Sequence, residues 1–317
     1  FIELWSNFKD TSFLVNPNST AGLFHVANSD FSGTIFAPFY GSPTYSVKDN
    51  IVSVFTYADA VNQVWEKIGI KNDNTVNFVA AVFAVKGATP ETLNPYAGAI
   101  IPLLKENSNS IIYYFSGKNE TVPGDNPDGP TSHVVFIEFD SGVYDPSTYE
   151  LAVTLVNTAP NAYGFVHMWG DTRLLLKEII NNASDKSRWF INWWSIHYGI
   201  DETFSGLNVL LPANPDTLIS VNHNYERMLK LYNINKYDPI VMIGVVAALL
   251  HMHIMINAGI LPSKSSVLEQ AQTGKITDAD LENIFGDPAV TLETLFGTGA
   301  TMTEGYNLNQ SYLLQLP

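Results

Sequence analysis

Residues 240–256 read IVMIGVVAALLHMHIMI, an unbroken apolar stretch without one charged side chain. A helix that is apolar all round must sit in a bilayer or in a protein interior. The stretch is near the lower length limit for a membrane span. Two histidines, His251 and His253, fall in its inner end, Asn257, Gly259 and Pro262 follow closely, and neither flank carries a cluster of Lys or Arg. It therefore predicts a fully buried central helix and no membrane, in a fold large enough to surround it. At 317 residues the chain can do so as one large domain or two ordinary ones.

Elsewhere the pattern is mixed. The first 45 residues are short apolar pieces broken by Asn, Gly and Pro, which predicts strands within an extended N-terminal arm over 1–45. Helical spacing of Val, Ile, Ala and Trp65 marks a helix within 45–68, and NFVAAVFAV at 77–85 reads as a buried strand. Thr89, Pro90 and Glu91 supply a cap, a first-turn proline and a first-turn acid for a helix toward Leu104. Residues 110–115 and 133–140 are β-like. Helices are expected from about Ser147 onward: one through Val156, one after Asp171, the aromatic stretch at 186–200, one across 216–232, the apolar one, and one over 277–284 capped by Thr277. No composition break or internal repeat divides the remainder. The expectation is an α+β fold, β-richer in its N-terminal half and predominantly helical in its C-terminal half, with 46–317 as a single shell-type domain.

Charge narrows the function. Charged residues make up 15% of the chain, against roughly 25% in average soluble domains, while apolar residues stand at 46%. The net charge is −15, and Arg173, Arg188 and Arg227 are the only arginines. Tight nucleic-acid binding needs clusters of Lys and Arg that this chain lacks. The absence of cysteine removes disulfides and thiolate chemistry. Four N-x-S/T sequons, at Asn18, Asn119, Asn182 and Asn309, are about as many as 29 asparagines give by chance and carry little weight. The opening FIELWSNFKD has no leader and no initiating Met, so a leader has been removed or the first residues lie outside this sequence.

Most candidate sites fail on spacing. GDNPDGP around Asp125, Asp128 and Gly129 suggests a calcium loop, but the aligned first and twelfth positions are Gly124 and Val135, where ligands are required. Turn chemistry explains it. Two helix positions two apart point to opposite sides, so His251 and His253 cannot share a metal and are expected to bond separately. No G-x-S-x-G occurs, and Gly297, Thr298, Gly299 and Gly305 lack the flanking residues of a nucleotide site, leaving a flexible loop. No metal or cofactor is expected. Glu138 and Asp140 share one strand face and are the best catalytic pair, since glycosidases use two carboxylates about 5–9 Å apart. That gives the alternative reading, a secreted carbohydrate-active enzyme or carbohydrate-binding protein with exposed Trp rings. The strand–helix alternation of a glycosidase barrel is absent.

The stretch KSRWFINWWSIHYGI at 186–200 decides between these readings. As a helix it would carry rings over most of its circumference, more than a sugar platform uses, so the rings are expected to meet protein, either as core or as a subunit contact. Low charge with many aromatics is also the profile of an interface core. Trp5, Trp65, Trp169, Trp189, Trp193 and Trp194 are the expected anchors. In size and texture the chain resembles the small, largely helical capsid proteins of partitivirus-like double-stranded RNA viruses. The resemblance implies a non-enzymatic coat protein, a homo-oligomer whose dimers close into an icosahedral shell, assembled in the host cytoplasm and located in the virion.

Overall fold

The computed structural model describes residues 54–55, 57–69, 146–159, 161–167, 173–196, 200 and 202–317, and strand backbone at 13–15, 34–36, 51–52, 77–83, 110–116 and 133–138. In chain order the described elements begin with β1 (Phe13–Val15), β2 (Thr34–Phe36), β3 (Ile51–Val52), α1 (Tyr57–Ile68), β4 (Asn77–Phe83), β5 (Ser110–Ser116) and β6 (His133–Glu138). Next come α2 (Pro146–Thr158), β7 (Ala162–His167), α3 (Arg173–Asn182), β8 (Trp189–Asn192) and β9 (Asn208–Leu211). The chain ends with α4 (Pro215–Val221), α5 (His223–Tyr232), α6 (Pro239–Ala258), α7 (Lys264–Thr273), α8 (Asp278–Phe285), α9 (Leu292–Phe296), β10 (Met302–Thr303), β11 (Asn307–Leu308) and β12 (Tyr312–Gln315). The fold is α+β, and among the described residues strands prevail before residue 140 and helices after it.

The chain packs as two compact units, each assembled from separate stretches of sequence: residues 60–211 with 313–317, and residues 1–59 with 212–312. No linker composition marks the crossings, so a reading of 46–317 as one domain had no boundary to place. The arm expected over 1–45 lies outside the described residues except for β1 and β2.

The first unit is built on a seven-stranded sheet in the order β12-β9-β8-β7-β4-β5-β6. The pairs from β9 through β6 are parallel. Strands of a parallel sheet are buried on both faces and read as continuous apolar runs. That is why WFIN in β8 and NVLL in β9 are buried at every position. The helix expected over 186–200 is thereby corrected: Trp189–Asn192 is a strand, followed by a 3-10 turn at Trp193–Ile196. Aromatic and β-branched residues lose rotamer freedom in a helix and fit a pleated interior strand. Amphipathic helices cover the sheet. α2 buries Val153 and Val156, packs on β4 and β7, and lies against α3, which buries Leu176 and Ile179.

In the second unit β1, β2 and β3 form a small parallel sheet, and α7 packs on β2. Local signals set the helices. Asn214 accepts from the backbone N–H groups of Asp216 and Thr217 at the start of α4. Asn222 accepts from Tyr225 N–H at 3.0 Å, breaking the helix expected over 216–232 into α4 and α5. Thr277 caps α8 as expected, in a reciprocal capping box with Asp280.

α6 is only half buried. Asp238 accepts from Ile240 N–H and Val241 N–H and Pro239 takes the first turn, so the apolar run starts where a helix is most easily nucleated. Met242, Val246, Leu250, His253 and Ile254 face the interior, whereas Ile240, Met252 and Ile256 are 50%, 51% and 71% exposed. Among the described residues α6 is the one helix long and apolar enough to cross a membrane, and 50% of its apolar window is buried in protein.

Its inner face ends in a polar cluster. His253 Nδ1 lies 2.8 Å from Tyr306 Oη, and Asn257 Nδ2 lies 3.0 Å from His253 Nε2. His253 Nε2 also lies 3.7 Å from Asp280 Oδ1. Tyr306 is 0% exposed and also accepts from Gln270 Nε2 at 3.5 Å. Burying these groups together keeps each one partnered.

Candidate functional site at the C-terminal edge of the sheet

In the seven-stranded sheet the chain leaves β4 to one side, through β5 and β6, and returns on the other side of β4 as β7, β8 and β9. The strand order thus reverses between β4 and β7. In open parallel sheets such a reversal leaves a crevice beyond the carboxyl ends of the two strands, because their connections depart in opposite directions. Registers fix what stands there. Val82 pairs with His167 at the ends of β4 and β7, Phe83 with Phe115, and Ser116 with Glu138.

Two helices begin beyond this edge. α2 follows β6 and α3 follows β7, so both N-termini belong to the edge at which parallel strands end. Free N–H groups and the helix dipole make such ends favourable for a carboxylate or another anion. The opposite edge is tied shut around β8 and β9: Asn208 Nδ2 donates to the Ser187 carbonyl at 2.5 Å and to the Trp189 carbonyl at 3.3 Å. On the C-terminal side Ser195 Oγ donates to the Val166 carbonyl at 3.2 Å, folding the turn after β8 back onto β7. What this arrangement can do is hold a small solute by backbone and strand-end groups.

Of the residues singled out in the sequence, Glu138 ends β6 at this edge. Asp140, Trp5, Trp169 and the GDNPDGP loop lie outside the described residues, as does the side chain of Trp194. Trp65, Trp189 and Trp193 are 5%, 1% and 4% exposed, so these indoles are packed within the chain itself. His253 joins Tyr306, and burial pushes the His251 imidazole below its ordinary pKa. Among the described residues no three His, Asp or Glu side chains gather as a metal site. The glycine turn expected to be flexible is pinned: Gly299 N–H donates to Glu293 Oε1, Asn309 Nδ2 to the Gly299 carbonyl, and Gln310 Nε2 to the Thr298 carbonyl. Sequence reasoning missed β7 and the edge it helps build. The alternation in AYGFVH was the available signal; the neighbours of β7 in the sheet had none.

In fold the chain is similar to the binding proteins that accompany ABC transporters. A protein from the Pseudomonas fluorescens group, described as an ABC transporter permease, superposes with a TM-score of 0.63 at 13% identity, covering 98% of this chain and 73% of that one. A substrate-binding protein of an ABC transporter from Aeropyrum pernix gives 0.56 at 12% identity over 100% of this chain and 80% of its own. A leucine-binding protein from Thermotoga maritima gives 0.53 at 12% identity, with coverages of 97% and 77%. No protein-family model and no characterised protein sequence matches the chain.

This likeness overturns the resemblance to double-stranded RNA virus capsids, and with it the icosahedral shell, the dimers of identical subunits and the virion as location. Sequence cannot distinguish an aromatic-rich interface from an aromatic-rich core, and the described tryptophans belong to the core. The alternative of a carbohydrate-active enzyme on Glu138 and Asp140 gains no support from these structures either.

Proposed function

We propose that this chain is a solute-binding protein acting outside the cytoplasm alongside an ABC transporter, and that it binds its solute without transforming it. The observation that carries the reading is the likeness of fold to transporter-associated binding proteins over nearly the whole chain. The C-terminal sheet edge supports it from within the molecule, since two helix N-termini and the reversal between β4 and β7 suit a small solute bearing a carboxylate. An amino acid with a branched apolar side chain is the first ligand to test, because one similar structure is that of a leucine-binding protein.

A ligand that binds the folded chain alone raises its stability by about 2.7 kcal/mol at a concentration 100 times its Kd. Thermal melts of the purified chain against the common amino acids, with simple sugars and nucleosides as controls, should single out one amino acid or a few related ones. Calorimetry on those hits should then give one site per chain. Melts unchanged by every amino acid would sink this reading.

A further inference from the structure

Four sequons were set aside as chance, but two of them lie in described residues and the structure treats them differently. Asn182 ends α3 and is exposed. Its side chain makes a hydrogen bond from Nδ2 to Glu178 Oε2 one turn behind it, at 2.7 Å on the surface. The backbone around it is held from another helix: Asn157 Nδ2 donates to the Asn182 carbonyl at 2.9 Å, and Asn157 Oδ1 accepts from Ser184 N–H and Ser184 Oγ at 2.9 and 3.0 Å. The loop is thus fixed by Asn157 while the Asn182 amide is turned to water.

Asn309 is exposed as well, but its side chain is built into a turn. Its Oδ1 accepts from Thr301 N–H at 2.8 Å and its Nδ2 donates to the Gly299 carbonyl at 3.1 Å, bridging the turn on both sides. Its backbone N–H donates to the Thr301 carbonyl, and the hydroxyl-bearing Ser311 of this sequon is 0% exposed. The two sequons thus differ at the hydroxyl residue that a transferase must reach, which is exposed at Ser184 and fully buried at Ser311.

We propose that Asn182 is an N-glycan acceptor of the folded chain and that Asn309 is not. The proposal rests on the reading of the chain as one that works outside the cytoplasm. The co-reactant is an oligosaccharide linked to a lipid diphosphate, presented by an oligosaccharyltransferase. Asn182 Nδ2 attacks the anomeric carbon, the bond from that carbon to the diphosphate oxygen breaks, and the Nδ2–carbon bond forms. One amide proton is lost to base, the lipid diphosphate leaves, and no oxidation state changes. A glycan at this position also keeps the end of α3 facing solvent, so a docking partner must use another surface.

The test secretes the full chain from a eukaryotic host that transfers N-glycans, with a flexible C-terminal tag carrying one acceptor sequon. Glycans on the secreted protein are removed by an amidase in heavy-oxygen water, which converts each occupied Asn to a labelled Asp for peptide mass measurement. Label is expected at Asn182 in most molecules and at Asn309 in almost none. Asn182→Gln should lose the mass of one glycan and keep the melting profile. A labelled tag beside an unlabelled Asn182 overturns the proposal, and so does equal labelling of Asn309 and Asn182. Ligand melts on the same preparation report separately, so a missing glycan and a failed solute-binding reading remain distinguishable.

Discussion

Gly164 and Trp189 stand opposite each other in register on β7 and β8, and the indole lies over Gly164 so closely that a Cβ there would overlap ring carbons Cε3, Cζ3 and Cδ2. Trp189 is 1% exposed and cannot swing into solvent. The glycine is required by this contact and not by an unusual backbone angle. Gly164→Ala must push the indole off its seat, at a cost of about 1–3 kcal/mol for overpacking. Trp189→Phe should relieve part of that strain, so the double variant should lose less than the two single losses added together. Urea midpoints of the four proteins check this, and simple additivity would show that the contact does not matter.

That pair also shows where the sequence stops being informative. Thr277 as a helix cap, the apolar run of α6 and the runs in β4, β5 and β6 were legible because each depends on residues a few positions away. Gly164 depends on a residue in the next strand of the sheet, and nothing in AYGFVH announces it. The same limit hid the site. Glu138 could be placed at the end of a strand, but the placement of β7 on the far side of β4 is a property of sheet order, which local patterning does not encode. The aromatic cluster was legible up to the same limit: its apolarity means contact with protein, and the choice between this chain's own core and a subunit contact required tertiary structure.

Tyr306 closes the polar cluster behind α6. Tyr306→Phe keeps the ring against His253, with which it makes an edge contact at 5.8 Å between centroids, and removes the oxygen that His253 Nδ1 and Gln270 Nε2 share. His253 is 6% exposed, so water cannot fully replace the lost partner. The expected loss is about 1–3 kcal/mol in denaturant unfolding, the cost of leaving a buried polar group unsatisfied. An unchanged midpoint would mean that the cluster reorganises around the missing hydroxyl.

Tyr225 should govern alkaline stability. Burial, and then the nearby Asp238 carboxylate, push its hydroxyl up to about 12 from an ordinary value of 10.0. The fold therefore favours the protonated form. Its contribution is complete below about pH 10 and is lost as the pH rises from there through about 12, amounting to about 3 kcal/mol for two units. Tyr225 is 2% exposed, and its hydroxyl has no hydrogen-bond partner among the described residues. Tyr225→Phe should thus cost nothing at neutral pH and flatten the decline in stability between pH 10 and 12. Urea titrations across that range would refute the assignment if the wild-type and variant curves stayed parallel.

The two sides of α6 should respond in opposite ways to the same kind of change. Ile254 is 0% exposed and Ile256 is 71% exposed, two positions apart on one helix. Truncating a fully buried isoleucine removes transfer energy and leaves a cavity, so Ile254→Ala should cost about 2–5 kcal/mol. Ile256→Ala should stay within about 0.5 kcal/mol, as surface changes do. Ile256→Lys is the sharper form of the experiment. On a half-buried helix at the surface of a protein unit it leaves the melting temperature and the yield of folded chain nearly unchanged, because the ammonium reaches water at no cost. A large loss with Ile256→Lys would mean that the outer face of α6 is covered, by lipid or by another polypeptide, and that the exposure of Ile240, Met252 and Ile256 does not describe the working protein.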